Sequence, residues 1–528
     1  MWCIPKNRKI NMKKLQNKLI EGTLLLTIAG FATRIIGFIY RIFLSDILGV
    51  KLLGIYQLVF PVYGICFTIY GAGIQTAISQ LVASNIGSPA QKQKKDLTIL
   101  KWGLFLSTIL SCTLTCLVWF FASPIASRLL LEPSCAPYLQ ILCFLFPFCG
   151  TSACINGYFY GIKEAKVPAV TQIVEQLVRV ASVVILCLTL SATGEAGCRF
   201  AVIGLICGEA ASCLYNCFKL YQAAHLNIKE TSLSQPEKRK NSFSHRDKIV
   251  SQLLFLAFTL TTTKLVLSIL HSVESIFIPA ALKKFGCSVQ DALSIYGILS
   301  GIAMPFILFP SSITNSFSVM ILPAIAQAQA EHAEKKIRSY ITLSGKYSLF
   351  IGYLFTCIFL LFGKEFGILL FHSKDAGIYI YALSWLCPFL YLSTTFTSII
   401  NGLGKTQLTF FITAIGLSVK IYFLIFLVPI YGIQAYLVGS LISQITMTLF
   451  EGFYLRHYIS FSVGSFLFVP CFCLTILGCL LKKLYLILPV PKAGIIPILL
   501  LAFFCLIICF GYLYVLGRAK CIDKKDFC

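Results

Sequence analysis

GTLLLTIAGFATRIIGFIYRIFLSDILGVKLLGIYQLVFPVYGICFTIYGAGIQTAISQLVA, residues 22–83, is apolar over a length that crosses a bilayer twice at about 20 residues per helical span. Its first apolar run nevertheless contains Arg34 and Arg41. A charge at membrane depth costs about 3 kcal/mol or more, so such residues face a cavity or a partner. The two arginines are seven residues apart, about two helical turns, and therefore share one face. A cationic stripe inside a membrane helix points to a transporter with a negative cargo.

The whole chain has this character. Its 528 residues are 58% hydrophobic and 12% charged, with mean hydropathy +0.85; soluble domains carry about 25% charged residues. Apolar runs between polar breaks predict an all-α polytopic membrane protein of fourteen spans, at 22–45, 52–83, 100–122, 137–160, 168–191, 200–223, 250–281, 289–322, 347–363, 376–400, 407–428, 430–453, 463–481 and 494–517. The second and eighth runs exceed one simple crossing, and Pro61, Pro305 and Pro310 predict kinks in them.

An even number of spans puts both termini on one side. Most of the 44 lysines and arginines fall on that side, including Lys6, Arg8, Lys9, Lys13, Lys14 and Lys18 at the start and Arg518, Lys520, Lys524 and Lys525 at the end. The positive-inside bias then predicts both termini cytoplasmic. The net charge of +24 is read as a topogenic signal; no soluble segment provides a nucleic-acid surface. Arg34 and Arg41, and the lack of a small-residue cleavage site, argue that the first span is retained rather than removed as a signal peptide. MKKLQNKLIEG, from Met12, has the look of a natural start. The 23 cysteines include no C-x-x-C pair and lie mostly in spans, where they act as small apolar residues. Cys135, Cys198 and Cys287 fall near the outer face, where oxidation is open to them.

The chain repeats. Residues 258–330 track residues 22–83, with LGIYQLVFPVYGI facing LSIYGILSGIAMP and Tyr56 matching Tyr296. Asn156-Gly157 before Lys163 matches Asn401-Gly402 before Lys405. The expected organisation is an N-terminal lobe of six spans (1–224), a basic linker (225–249), a C-terminal lobe of six spans (250–460) and two additional spans with a tail (461–528). Both lobes start on the same side, so the repeat is parallel, with a cavity between lobes and alternating access expected of that architecture.

Charged residues inside spans are the candidate cargo ligands: Arg34, Arg41, Glu175, Arg179, Lys264, His271, Glu274 and Lys420. Several have a second reading. Glu175 and Arg179 stand at i,i+4 and can neutralise each other. Arg41 can snorkel to the outer headgroups. Lys264 can pair with Glu274, and Lys420 can lie beside lipid tails. Glu209 and Glu451 sit in the sixth and twelfth spans with no role assigned. GLGKT at residues 402–406 lacks the earlier glycine of a phosphate-binding loop, since Ile399 stands there, and is read as a tight turn.

Three function classes follow. An isoprenoid-diphosphate saccharide has an anionic headgroup suited to arginine's two-pronged fork. A multidrug pump for cations would use buried acids. A membrane enzyme would cluster acids or histidines at one face, whereas His225, His245, His332 and His457 are scattered. Neither a cofactor nor a metal site is expected.

The GFATRIIGFIYRIFLSDILG, LGIYQLVFPVYG and GAGIQTAISQLVA runs, EQLVRV around Glu175 and Arg179, IYGILSGIAMPFILFPSSI and NGLGKTQLTF resemble the stage V sporulation protein B family. That family lies in the multidrug/oligosaccharidyl-lipid/polysaccharide exporter superfamily, with the lipid II flippases as relatives. The resemblance implies a fourteen-span exporter of the bacterial cytoplasmic membrane and not an enzyme. The implied cargo is a lipid-linked anionic saccharide, a peptidoglycan precursor for spore cortex or cell wall. The implied partners are membrane lipids and cell-wall synthesis enzymes. The alternatives are another polysaccharide's lipid-linked repeat unit and multidrug efflux. Lipid II flippases use first-span arginines, which Arg34 and Arg41 could match, and also a second-span arginine, which residues 52–83 lack.

The topology has a direct test. In intact cells, membrane-impermeant thiol reagents should leave Cys3 and Cys528 unlabelled. Labelling of either from outside rules out the fourteen-span arrangement with cytoplasmic ends.

Overall fold

Gly49, at φ 69° and ψ 166°, interrupts what is otherwise one helical run from Lys6 to Phe67. An unbroken helix over Leu25–Ser84 would be about 90 Å long, three times a bilayer core of about 30 Å. Only glycine reaches this positive-φ region without strain, so Gly49 divides the run into two spans, 25–48 and 50–84. The computed structural model describes residues 6–85, 89–191, 193–231, 242–458, 463–488 and 494–518. The terminal cysteines Cys3 and Cys528, and the middle of the basic linker, lie outside them.

Among the described residues, thirteen helical stretches are long and apolar enough to cross a membrane, and the break at Gly49 makes fourteen spans of them. No strand occurs among the described residues. The expected all-α membrane fold is therefore present. After the first two, the spans are Lys95–Phe120, Pro133–Gly161, Lys166–Thr189, Glu195–Ala223, Val250–Phe285, Val289–Leu308, Glu334–Phe371, Lys374–Gly402, Thr406–Tyr431, Ile433–Leu455, Pro470–Ile487 and Ile495–Arg518. A further helix, Ser311–Ala330, continues the eighth.

Two expectations about kinks separate. The eighth run breaks where predicted: a wide π-turn spans Gly297–Ala303, Pro305 lies in the first turn of Met304–Leu308, and a new helix starts after Pro310. Pro61 instead stays inside a helix, and the second span loosens further on, in a π-turn at Thr68–Ala72. The ninth helix runs to Phe371, well past the expected end at 363, and carries Lys364 and Glu365 within it.

The internal repeat is visible in the details. The fourth and tenth spans share one plan at a spacing of 241 residues. Each has a 3₁₀ turn (Cys143–Leu145; Ser384–Leu386), then a helix with proline in its first turn (Phe146–Gly161; Cys387–Gly402). Both helices end in the same hydrogen-bonded cap. Ile162, Lys163 and Glu164 donate to Tyr158, Tyr160 and Phe159, as Leu403, Gly404 and Lys405 donate to Ile399, Asn401 and Ile400. The cap's positive-φ residue is Lys163 in one copy and Gly404 in the other, so residues 402–406 form the expected turn. Thr115 donates to the Cys143 carbonyl at 3.0 Å, and Thr356 to that of Ser384 at 3.2 Å.

By contacts the chain divides into two compact units. One comprises the described residues through Tyr40 with Ile55–Ile276; the other comprises Arg41–Gly54 with the described residues from Phe277 onward. In both, helices approach through glycine. In the first unit a Cβ at Gly208 would stand 2.7 Å from the Glu175 carbonyl oxygen, and one at Gly157 2.5 Å from that of Gln75. In the second, a Cβ at Gly297 would stand 2.2 Å from the Val50 carbonyl oxygen. Small residues spaced by four let backbones meet where lipid supplies no hydrophobic drive for helix association. Gly204-Gly208 and Gly297-Gly301 are such pairs.

The described cysteines are all free. Cys135 and Cys198 are both 0% exposed, which corrects the expectation that they are open to oxidation: the spans pack over them. Cys287 is half-buried.

Gly208→Leu should force the sixth span off the fifth and lower stability by about 1–3 kcal/mol, the usual cost of overpacking. A fall in the detergent melting temperature would report it. Gly30→Leu, with nothing within 4 Å of its Cβ, should melt near the wild-type temperature, and equal loss in both variants would refute the packing account.

Candidate functional site

Arg34 stands nine residues after Leu25, about 14 Å along the first span, and its side chain is exposed. One turn later, Gly37 lets the span pack on the fifth: a Cβ there would meet Gln176 Nε2 at 3.2 Å. The arginine's turn of helix therefore lies beside the helix that carries Glu175 and Arg179.

Glu175 and Arg179 form the predicted i,i+4 ion pair. Gln176 accepts a second bond from the Arg179 guanidinium at 3.4 Å. Sequence spacing did not add Glu209, which the close fifth–sixth contact at Gly204 and Gly208 brings within electrostatic reach of both. The Glu209 side chain is buried and accepts from Ser212 at 3.4 Å. The result is two carboxylates around one guanidinium. Along the second span, Tyr56, Phe60, Tyr63, Phe67 and Tyr70 form a ladder of ring contacts. Tyr63 shares a hydrogen bond of 3.3 Å with Cys149. The i, i+3/i+4 spacing of these aromatics was a signal in the sequence, hidden by the apolar background.

Lys264 takes neutral partners. Its ammonium donates to the Ala72 carbonyl at 2.8 Å and to the Thr76 hydroxyl at 2.7 Å. The carbonyl belongs to the π-turn Thr68–Ala72, whose i→i+5 pattern leaves acceptors open. The whole near half of the seventh span fits the second this way: Gly73 abuts Thr261, Gly64 abuts Ser268, and Ser272 donates to the Pro61 carbonyl at 3.2 Å. His271 is exposed, and its Nδ1 lies 3.8 Å from the Glu274 carboxylate.

The other two candidates belong to the second unit. Arg41 donates to the Gly301 carbonyl at 3.4 Å, again a carbonyl of a π-turn. Lys420 is half-buried near the end of the helix Thr406–Tyr422. This unit also holds a pair that sequence reading missed, Lys482 with Glu365, with the ammonium 4.9 Å above the Phe362 ring. Both charges lie beyond the expected span limits, and pairing lets their helices run on.

The chain belongs to the polysaccharide biosynthesis protein family, whose model matches residues 19–329; a MatE model matches residues 264–426. It is a membrane transporter of the exporter superfamily that both describe. Stage V sporulation protein B of Bacillus subtilis (strain 168) is 26% identical over 436 residues, covering 81% of this chain and 82% of that protein. The lipid II flippase MurJ in an inward closed conformation has the same fold, with TM-score 0.68 at 16% identity over 96% of this chain and 99% of that one. An inward-facing multidrug resistance MATE family transporter gives TM-score 0.60 at 14% identity, over 82% and 98%.

The three-charge cluster makes a graded prediction. Arg179→Gln leaves two acids facing each other and should cost about 2 kcal/mol, between an exposed and a fully buried broken pair. Membrane abundance should fall accordingly. Glu175→Gln should be milder, because Glu209 still faces the guanidinium. Adding Glu175→Gln and Glu209→Gln to Arg179→Gln should restore abundance; failure to do so would show that the cluster is not held by charge balance.

Proposed function

We propose that this transporter is a flippase for an isoprenoid-diphosphate-linked saccharide, working by alternating access across the bacterial cytoplasmic membrane. Its leading cargo is a peptidoglycan precursor for spore cortex or cell wall. Arg34 carries the reading. An exposed guanidinium that deep in a span is costly against lipid hydrocarbon and calls for water and an anion. Its planar fork fits two oxygens of a diphosphate. Lys264 supports the reading, because the Ala72 carbonyl and the Thr76 hydroxyl that it donates to are neutral and leave its positive charge in place.

The relatives favour the same cargo class: one is named for sporulation and one structural neighbour is a lipid II flippase. Arg179, Glu175, His271 and Glu274 would shape the headgroup site in this reading; Arg41 and Lys420 are candidate cargo ligands of the second unit. The proposed lobes are residues 1–224 and 250–460, joined by the basic linker, with cytoplasmic termini. Efflux of cationic drugs is the competing reading. It would need an acid open to the cargo, whereas Glu175 and Glu209 already share Arg179 and Glu451 is enclosed at 2% exposed.

The test uses purified protein in liposomes with a fluorescent isoprenoid-diphosphate saccharide. Arg34→Ala should slow flipping about ten- to a hundredfold, the loss of one charge-assisted contact worth about 1.5–3 kcal/mol, at unchanged abundance. Arg34→Lys should retain part of the rate, since the charge stays and the fork is lost. Full-rate flipping by Arg34→Ala would remove it as a cargo ligand. Resistance to cationic dyes conferred on a pump-deficient host would instead favour drug efflux.

A further inference from the structure

Glu451 has no part in the site described above, and its surroundings set it apart. Of the acids buried within spans among the described residues, Asp96, at the start of the third span, accepts from the Asn85 amide at 2.9 Å, Glu209 faces Arg179 and Glu274 faces His271. Glu451 faces no cation. It is 2% exposed in the twelfth span. The Thr397 hydroxyl of the tenth span donates to its Oε1 at 2.6 Å, and the Ser393 hydroxyl lies close by. Its Oε2 is buried with no partner.

The helices packed around it supply no counter-charge. Cys387–Gly402 of the tenth span contains no Asp, Glu, Lys, Arg or His; its titratable groups are Cys387 and Tyr391, and the Tyr391 hydroxyl donates to the Ile307 carbonyl at 2.7 Å. The eleventh span has one charged residue, Lys420. Its level is set by Ser443 of the twelfth span, which donates to the Gly416 carbonyl at 2.6 Å, about two turns from Glu451. On the twelfth span itself, the Arg456 guanidinium lies 4.2 Å over the Phe453 ring.

A buried carboxylate with no cation costs several kcal/mol, and taking up one positive charge removes that cost. A sodium ion would require a cage of oxygens. Here the groups that reach the carboxyl are the Thr397 and Ser393 hydroxyls, and no group of three His, Cys, Asp or Glu side chains suited to a metal occurs among the described residues. A proton needs only the open Oε2. We propose that Glu451 is a proton-binding site of the second unit, through which a proton gradient drives transport.

The same end of the unit explains why exchange would follow conformation. Phe396, Ile399, Ile400 and Leu455 belong to a buried apolar cluster with Ile325 and Ile341. They lie within two turns of Glu451, on the side where the tenth and twelfth helices end at Gly402 and Leu455. A proton leaving toward that end must wait until this cluster opens. Binding turns the carboxylate into a neutral carboxyl, and release returns the proton to bulk water with no other change.

The drive of transport rests on the flippase reading, so two separate readouts are needed. Infrared difference spectra of the purified full-length protein in liposomes, acid against alkaline buffer, should show a protonated-carboxyl band that is absent in Glu451→Gln and unmoved by sodium. A hydrophobic carbodiimide, which attacks protonated carboxyls in membranes, should modify the wild-type Glu451 peptide in acid and spare it in alkali, a check that needs no folded variant. Absence of the band from wild type, pH-independent modification, or a sodium-induced shift would each overturn the proton site. In the flipping assay an inward or outward proton gradient should change the wild-type rate and leave Glu451→Gln indifferent. A wild-type rate blind to the gradient would overturn the coupling. If wild type moves no diphosphate-linked saccharide, the cargo assignment fails, while the infrared band still decides the proton site.

Discussion

Inside hydrocarbon, each polar group must find its partner within the protein, and this chain meets that demand largely with backbone carbonyls. Glycine seams bring neighbouring helices close enough for a side chain on one to reach a carbonyl on the next. Ser107 reaches Tyr70, Ser443 reaches Gly416, and Thr448 reaches Phe389. The π-turns extend the same device to charges. Each opens acceptors in the middle of a span, and Lys264 and Arg41 each bond into one. The cations are thereby held at depth without an acid in the same bond.

This explains which parts of the molecule could be read from its residues. Spans follow from apolar length, the break at Pro310 from its fixed geometry, and the turn at residues 402–406 from its glycines. The repeat was visible in the sequence, but pairing Asn156-Gly157 with Asn401-Gly402 sets it about one helical turn out of register: the shared caps pair Gly161 with Gly402 and Lys163 with Gly404. The Glu175–Arg179 pair followed from helical spacing. Partners given by the backbone leave no mark in sequence, so the environments of Lys264 and Arg41 were hidden. Charges near helix ends misled in another way. Lys364, Glu365 and Lys482 look like boundaries until Glu365 and Lys482 are seen to neutralise each other.

The acids show the limits of reading one helix at a time. Glu209 and Glu451 are alike in sequence, each a lone glutamate beside a glycine in an apolar run. Packing separates them. Gly208 draws the fifth span onto the sixth and places Arg179 by Glu209. The tenth span offers Glu451 only hydroxyls. Burial is comparable, and the chemical capacity differs because one acid has a cation at hand.

The equivalent caps and cross-helix bonds of the two copies also bear on descent. The carbonyl of Cys143 is bonded by Thr115, and that of Ser384, its counterpart in the later copy, by Thr356. A carbonyl persists through any substitution at its own position, so the joint survives the change from cysteine to serine. A framework fastened to its own main chain can shed most of its residue identities over evolutionary time and still assemble. That accounts for a shared architecture with a flippase at 16% identity.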